Sequence, residues 1–329
     1  MQHAPSTPGA PAAPLVTVIA LCYNHQRFLL ETLESIRAQT FRDFELIVTD
    51  DASRDESPAM ISAWLAEHRP DATFIRHTQN AGLCRTLNEA LARARGSYIC
   101  MIATDDVWEP ERLELHMAAF SEQPESVALV YSDVTQMDEQ GQPLPANFIA
   151  HHRPGLTPPS GKLFSTLVDG NFIPAMAASI RRSAIVALGG YDERLTYEDY
   201  DMWLRLSERF DAVFCPGLVA RYRIVGSSLV RTMFVAPTPN HSYSTALIYL
   251  RWLNSTRLTV PQRKRWGQVL FVAAYNLYRL GDPRAPSMLR LAFRHTWNGR
   301  AFVLALSSSL GLSRARAMRL LGRARKVAQ

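Results

Sequence analysis

Between residues 15 and 103 the chain alternates four times between a short apolar, β-branched run and a segment of helical period, and this alternation narrows the possible folds more than any other feature. Runs at 15–21, 44–49, 72–76 and 97–103 read as strands, and the stretches at 27–39, 57–67 and 83–95 as the helices that join them. On the first helix Phe28, Leu29, Leu33 and Ile36 share one face, as a helix covering a sheet requires. A helix between successive strands forces a crossover in place of a hairpin. Right-handed crossovers then assemble a doubly wound, mostly parallel α/β sheet. The fourth run, Tyr98-Ile99-Cys100-Met101-Ile102-Ala103, has no charged position, which suits a strand covered on both faces.

Three of these strands run straight into polar residues: Tyr23-Asn24 after the first, Asp50-Asp51-Ala52-Ser53 after the second, and Asp105-Asp106 after the fourth. In open α/β sheets ligands bind beyond the carboxyl ends of the strands, so these groups are expected around one crevice. Two adjacent carboxylates are hard oxygen donors suited to Mg2+ or Mn2+ carrying substrate phosphates. The competing role for Asp105 or Asp106 is to cap the helix that opens at Pro110. An ionised carboxylate only accepts hydrogen bonds, so if Asp51 reads a nucleobase edge, that base must offer a ring N–H, as uracil, thymine and guanine do. The competing role for Asp50-Asp51-Ala52-Ser53 is a turn held by local Asx bonds. The fingerprints GxGxxG and GxxxxGK[ST] are missing after the first strand, which argues against nicotinamide-cofactor and P-loop chemistry.

Composition removes other classes. Cys22, Cys84, Cys100 and Cys215 lie far apart with no CxxC, a pattern of reduced cytosolic thiols and not of a disulfide framework. The nine histidines show no ligand-type spacing, so no zinc site is expected, and the adjacent pair His151-His152 falls in a proline-rich loop. The first 13 residues are rich in Ala, Pro and Ser without an apolar core, which reads as a disordered tail and not a secretion signal. No run of about 18 uncharged apolar residues is present to span a membrane. The net charge of +6 conceals a split: residues 261–329 hold 14 Arg and Lys against one acid, Asp282, leaving the first 260 residues at a net of −7. A basic tail on a slightly acidic body points to an anionic partner at the C-terminal end.

Past Asp106 a helix over 110–122 leads to a strand at 127–132. Residues 137–170 carry five prolines and read as a loop, either a lid over the crevice or passive surface. A strand at 177–181, a turn at Gly189-Gly190, a helix over 196–206 and strands at 212–214 and 219–224 follow. That helix has Glu198, Asp199 and Asp201 in its first turn, where the helix dipole alone already favours acids. Trp203, four residues beyond Asp199 on the same face, is in place to stack on a sugar. Further helices are expected at 247–253, 269–280 and 288–293, then an apolar run at 301–312 and a crowd of Arg314, Arg316, Arg319, Arg323, Arg325 and Lys326. This last segment reads as a basic amphipathic helix able to rest on anionic lipid; the competing reading is an appendage packed on the preceding domain with solvated charges. Aromatic residues are too sparse among these charges for nucleic-acid binding.

With the pieces in order, about residues 14–231 resemble the family 2 glycosyltransferases, which have the GT-A type fold. The resemblance is carried by Val18-Ile19-Ala20-Leu21-Cys22-Tyr23-Asn24, Phe44-Glu45-Leu46-Ile47-Val48-Thr49-Asp50-Asp51-Ala52-Ser53, Asn80-Ala81-Gly82 and Asp105-Asp106-Val107-Trp108. It continues in Gly189-Gly190-Tyr191-Asp192-Glu193 and Glu198-Asp199-Tyr200-Asp201-Met202-Trp203. The resemblance implies inverting transfer of a sugar from a nucleotide diphosphate donor, usually with a divalent metal. It implies that Asp51, with Asp50 beside it, contacts the base, and that Tyr23 and Asn24 lie by the nucleotide. Asp105 is implied to face the metal and diphosphate with Asp106 next to it, and Asp199, beside Glu198, to be the general base. Three positions depart from the family's pattern. Ala103 stands where the first acid of Asp-x-Asp-Asp is common; Leu87-Asn88 stands where Arg-Asn is common, so phosphate contact is expected from Arg85 or another basic residue; and Val225 replaces a His that can add a metal ligand.

The expected protein is therefore an inverting glycosyltransferase with a disordered tail (1–13), a catalytic domain (14–236) and a basic helical extension (237–329). It is expected to use a UDP- or dTDP-sugar and Mg2+ or Mn2+. The expected acceptor is a hydroxyl of a saccharide or lipid-linked molecule in surface polysaccharide, O-antigen or glycolipid synthesis. The expected location is the cytoplasm, either free or peripheral on the inner face of the plasma membrane. Two other readings remain. A sugar-1-phosphate nucleotidyltransferase would need a basic, Gly-rich loop where Cys22-Tyr23-Asn24-His25 stands. A nucleotide-sugar-binding module without turnover is the reading that Ala103 and Val225 keep open.

Overall fold

In the computed structural model, which describes residues 13–226, 237–296 and 299–309, the expected alternation is present. Strands β1 (Val16–Cys22), β2 (Phe44–Asp50), β3 (Thr73–Arg76) and β4 (Tyr98–Ala103) run parallel in the order β3-β2-β1-β4. They are joined by α1 (Leu29–Arg37), α2 (Ser57–His68) and α3 (Leu83–Arg93). The strand period of two decides which core each side chain enters. Val16, Val18, Ala20 and Cys22 of β1 pack with Leu33 of α1 and Ile61 of α2, whereas Ile19 and Leu21 pack with Leu87 and Ala90 of α3. Both faces are covered, so every residue of β1 is buried. At Gly96 a Cβ would lie 2.4 Å from the Thr17 amide nitrogen; the turn into β4 passes so close to β1 that no side chain fits there.

Beyond β4 the sheet changes character. Strands β5 (Val107–Trp108), β6 (Val127–Met137), β7 (Ala178–Arg181) and β8 (Asp211–Arg223) continue the order as β4-β7-β6-β8-β5. β7 is antiparallel to β4 and β6, β8 is parallel to β6, and β5 is antiparallel to β8, so the second half of the eight-stranded sheet is mixed. The separate strands expected at 212–214 and 219–224 are one strand. Pro216-Gly217 does not end it but sits at an irregularity, where the register against β6 shifts between Tyr131 and Asp133. Helix α4 (Arg112–Ser121) covers the face also covered by α1 and α2. Three short helices lack the length to give a periodic signal and were not expected: α5 (Phe148–His152), α6 (Phe164–Leu167) and α7 (Arg182–Ala187). Helix α8 (Asp199–Arg209) starts later than its acids suggested, which leaves Glu198 at the position just before its first turn, without a side-chain capping bond.

The C-terminal part is helical: α9 (Pro239–Leu253), α10 (Val260–Arg279), α11 (Ala285–Thr296) and α12 (Gly299–Ser309). Trp252, Trp266, Leu270 and Leu289 belong to the same buried core as Leu87 of α3 and Trp203 of α8. The Trp266 indole N–H donates to the Val168 carbonyl at 2.9 Å, and the Thr196 amide donates to Ser244 Oγ at 2.9 Å. The described helices are thus an appendage packed on the preceding domain. Arg314, Arg316, Arg319, Arg323, Arg325 and Lys326 lie outside the described residues. Among the described residues no helix is long and apolar enough to cross a membrane.

Candidate active site

The loops after β1, β2 and β4 meet at the carboxyl edge of the sheet and hold one another. The Asn24 amide donates to Ser53 Oγ at 2.8 Å, and Asn24 Oδ1 accepts from the Arg54 amide at 2.8 Å. Asn24 and Ala52 have φ of 58° and 62°, the only positive values outside glycine among the described residues. Asn tolerates the left-handed region, but at Ala52 the conformation costs roughly 1–2 kcal/mol. The contact between the two loops offsets that strain. The Asn24 side chain is therefore used in joining the loops, while Tyr23 is exposed at the mouth of the cleft they form.

This cleft has a volume of about 720 Å³ and is lined by Tyr23, Asp50, Ser53, Arg76, His77 and Asn80 among others. Asp50 is fully buried in its wall; Oδ1 accepts from the Ser53 amide at 3.0 Å, and Oδ2 has no protein partner. The Asp51 carboxylate faces the turn before α3. Its Oδ1 accepts from the Ala81 amide (2.7 Å) and lies 2.8 Å from His77 Nδ1, and its Oδ2 accepts from the Gly82 amide (2.9 Å). Gly82 reaches this position with φ of 86°, which glycine adopts at no steric cost. A carboxylate oxygen offers two lone pairs, so Asp51 keeps a single open acceptor direction, on Oδ2. Arg85, in the first turn of α3, is exposed and has no hydrogen-bond or ion-pair partner among the described residues.

The two acids after β4 point in different directions. Asp106 is buried, and its Oδ1 accepts from the Arg223 amide at 2.9 Å. Burial, and then the charge of Asp105, push its carboxyl well above the usual carboxylate range. Asp105 faces outward, with Oδ2 3.7 Å from Nε2 of His25, whose Nδ1 lies 3.0 Å from Thr104 Oγ1. Behind both acids the buried Arg223 guanidinium stacks on Phe28, donates to the Asp105 carbonyl at 2.9 Å and pairs with Glu31. Among the described residues no three His, Cys, Asp or Glu side chains are grouped to enclose a metal ion. The donor set suits a different arrangement, in which Mg2+ or Mn2+ takes one or two carboxylates from the protein and the rest of its shell from substrate phosphates and water. Asp105 is the outward carboxylate for it, and a cation there would relieve the repulsion that raises Asp106.

Glu198 and Asp199 stand at the start of α8. Asp199 Oδ2 accepts from Asn171 Nδ2 at 2.8 Å, and Oδ1 from the Tyr200 amide at 2.6 Å. Burial raises the Asp199 carboxyl, and burial together with the neighbouring Asp199 charge pushes Glu198 up to about 8. Tyr222 links this pair to the acids after β4: burial first, then the charges of Asp106, Asp105 and Asp199, raise its phenol. Cys84, two residues past Gly82, is raised by burial and then by charges that include Glu198 and Asp199. Tyr222 thus lies within electrostatic range of both 105–106 and Asp199, Cys84 within range of 198–199, and 50–51 connects to Cys84 only through the Asp51–Gly82 bond at the start of α3.

Trp203 needs a correction. It is 1% exposed and its indole N–H donates to the Ile173 carbonyl at 3.2 Å. It shares a helix face with Asp199 but lies one turn deeper, in the core, so it offers no surface to a sugar. Conversely, His25, His77, Asn171, Tyr222 and Arg223 carry site contacts that no sequence spacing indicated. Their partners lie 12 to 192 residues away and meet them only through the tertiary fold.

Residues 17–189 match the model of glycosyl transferase family 2, more than half of the chain. The chain is 32% identical over 200 residues to EpsE of Bacillus subtilis (strain 168), named as a glycosyltransferase, covering 60% of this chain and 68% of that protein. Among solved structures it resembles S. aureus TarS 1–349 in complex with UDP-GlcNAc, with a TM-score of 0.59 at 16% identity over 91% of this chain and 93% of that one. It also resembles the mannosyltransferase PcManGT from Pyrobaculum calidifontis in complex with GDP-Man and Mn2+, with a TM-score of 0.55 at 19% identity over 93% of this chain and 82% of that one. At these identities the likeness concerns the fold, which is of GT-A type.

Proposed function

The chain belongs to glycosyl transferase family 2, and from that premise we propose that it moves a sugar, with inversion, from a UDP- or dTDP-sugar to an acceptor hydroxyl. The observation that carries this reading is that Asp105 and Asp106, at the end of β4, and Asp199, at the start of α8, all act electrostatically on the one phenol of Tyr222. The nucleotide occupies the cleft beside Tyr23, with the base N–H on the open Oδ2 direction of Asp51 and the diphosphate toward Asp105, within reach of Arg85. Asp199 accepts the proton of the attacking hydroxyl. Asn171 and the Tyr200 amide fix its orientation, and Glu198 keeps its own proton near neutral pH so that the pair carries one charge. Inversion in one displacement requires no more than this one base. A divalent cation held at Asp105 would supply positive charge to the departing diphosphate. The PcManGT complex, which contains Mn2+, supports the choice of Mg2+ or Mn2+.

The proposed acceptor is a saccharide or lipid-linked molecule of surface polysaccharide, O-antigen or glycolipid synthesis. The proposed location is the cytoplasmic face of the membrane, with the C-terminal basic residues toward anionic lipid; the charge split between the body and residues 261–329 supports it. Residues 14–236 are the proposed catalytic domain and 237–329 the extension. Nucleotide release from UDP- and dTDP-sugars with and without Mn2+ tests the reading. The expected result is metal-dependent turnover that Asp105→Ala lowers at least about 100-fold. Undiminished turnover in Asp105→Ala would remove that residue from the reaction.

A further inference from the structure

His77 is an ionisable group of the proposed nucleotide cleft that the roles above leave unused. His77 follows β3, its amide donates to the Asp50 carbonyl at 2.9 Å, and the residue lines the cleft. Its Nδ1 lies 2.8 Å from Asp51 Oδ1, and its Nε2 lies 2.9 Å from Glu89 Oε2 on α3. Both partners are carboxylates. A neutral imidazole has one N–H and one lone pair, so it would turn a lone pair toward one of them; an imidazolium donates to both. The other charged groups around it are Arg93, which pairs with Glu89 at 3.0 Å, Arg76 on the cleft lining and Asp50 in its wall. Burial disfavours the cation, but the hydrogen bonds to Asp51 and Glu89 outweigh burial and raise the His77 pKa.

We propose that His77, as an imidazolium, is a positioning residue for nucleotide binding: it fixes Asp51 so that only Oδ2 is left for a base N–H, and it adds positive charge to the wall of the cleft that the anionic nucleotide enters. The inference rests on the nucleotide site proposed above. An anionic ligand arriving near the imidazolium favours its charged form, so by linkage the affinity for the ligand falls as pH rises through the His77 titration. Glu89 is the control that separates this role from mere packing. It touches His77 but not Asp51, and its side chain is 38% exposed, so replacing it disturbs the charge of His77 without emptying the core.

Calorimetric titration with UDP-glucose, dTDP-glucose and GDP-mannose, at fixed Mg2+ and between about pH 6.5 and 8.5, tests the proposal, because diphosphate diesters keep a constant charge there. At least one of them is expected to bind roughly five-fold more tightly at the acidic end, a part of one charge-assisted hydrogen bond. His77→Gln should bind at the alkaline wild-type level throughout, with a flat profile. Glu89→Gln should keep the acidic-end affinity but move the midpoint to lower pH. A flat wild-type profile, or an unmoved midpoint in Glu89→Gln, overturns the inference while leaving the nucleotide site standing. Absence of binding by all three at every pH overturns the site and the inference together. If His77→Gln does not fold, the Glu89→Gln midpoint decides alone.

Discussion

Asp199→Asn is the substitution that most directly separates chemistry from structure in this site. The amide has the shape of the carboxylate, and its oxygen still accepts from the Tyr200 amide, now at 2.6 Å from Oδ1. The contact with Asn171 (2.8 Å) survives if that side chain turns its oxygen toward the new NH2, at the expense of the 3.1 Å bond it receives from the Ile173 amide. The structural cost is then about one neutral hydrogen bond, ~1 kcal/mol, or a fall of roughly 2–4 °C in Tm. The chemical cost is of another order. Loss of a positioned general base lowers kcat by about 10²–10⁴, equivalent to ~3–5 kcal/mol of transition-state stabilisation. Asp199 has no hydrogen bond to any residue of the nucleotide cleft, so donor Kd should stay within about two-fold. The assay is nucleotide release with an acceptor extract, with calorimetric donor binding and a thermal melt on the same sample. Asp199→Asn turning over within about three-fold of wild type, with Tm and Kd unchanged, would refute the assignment of the base.

Glu198 gives a pH dependence of definite sign. The folded chain keeps its proton up to about pH 8 whereas the unfolded chain releases it near 4.5, so stability declines as pH rises across that window. Glu198→Gln should flatten this contribution in thermal melts at about pH 5.5, 6.5 and 7.5, and an unchanged slope would mean that the carboxyl ionises normally. Arg251→Ala leaves Asp201, 1% exposed, with Arg205 as its remaining cationic partner and frees Asp192 from one of its two arginines. A loss of about 2 kcal/mol and a Tm lower by roughly 4–8 °C are expected, and calorimetry showing equal Tm would refute the coupling. Trp203→Ala should cost ~3–5 kcal/mol through the cavity it opens; a raised acceptor KM with unaltered Tm would instead restore a stacking role.

What could be read from the sequence divides along a physical line. Strand and helix periods are local, so the first four strands and their helices are legible from residues 15–103, and so is the clustering of acids at the strand ends. The direction of a side chain is not local. Asp105 and Asp106 are adjacent and chemically identical, yet one faces outward and the other is turned onto the Arg223 amide, 117 residues away, because β5 pairs with β8. Trp203 and Asp199 share a face by helical spacing, but the depth at which α8 enters the core decides that Trp203 is sealed in it while Asp199, at the helix start, stays partly accessible. Pro216-Gly217 has the composition of a turn and lies within a strand, since a long neighbouring ladder absorbs one irregularity. His77 carries no motif at all; its significance arises from two carboxylates brought to opposite ring nitrogens.

The same distinction bears on the C-terminal helices. The proposed nucleotide half of the site is built by the loops after β1, β2 and β3, which brace one another, as the Asn24–Ser53 and Asp51–Gly82 bonds illustrate. The half that carries Asp199 is braced from outside. The Thr196 amide donates to Ser244, the hydroxyls of Tyr197 and Thr245 are 3.2 Å apart, and Arg251 reaches Asp192 and Asp201, all three partners lying on α9. A helix start bearing two adjacent buried acids is electrostatically unfavourable on its own, since desolvation and mutual repulsion both act against it. Contacts from α9 to residues on either side of those acids offset that cost. The helical extension is therefore a structural part of the half of the site that carries Asp199, the proposed base.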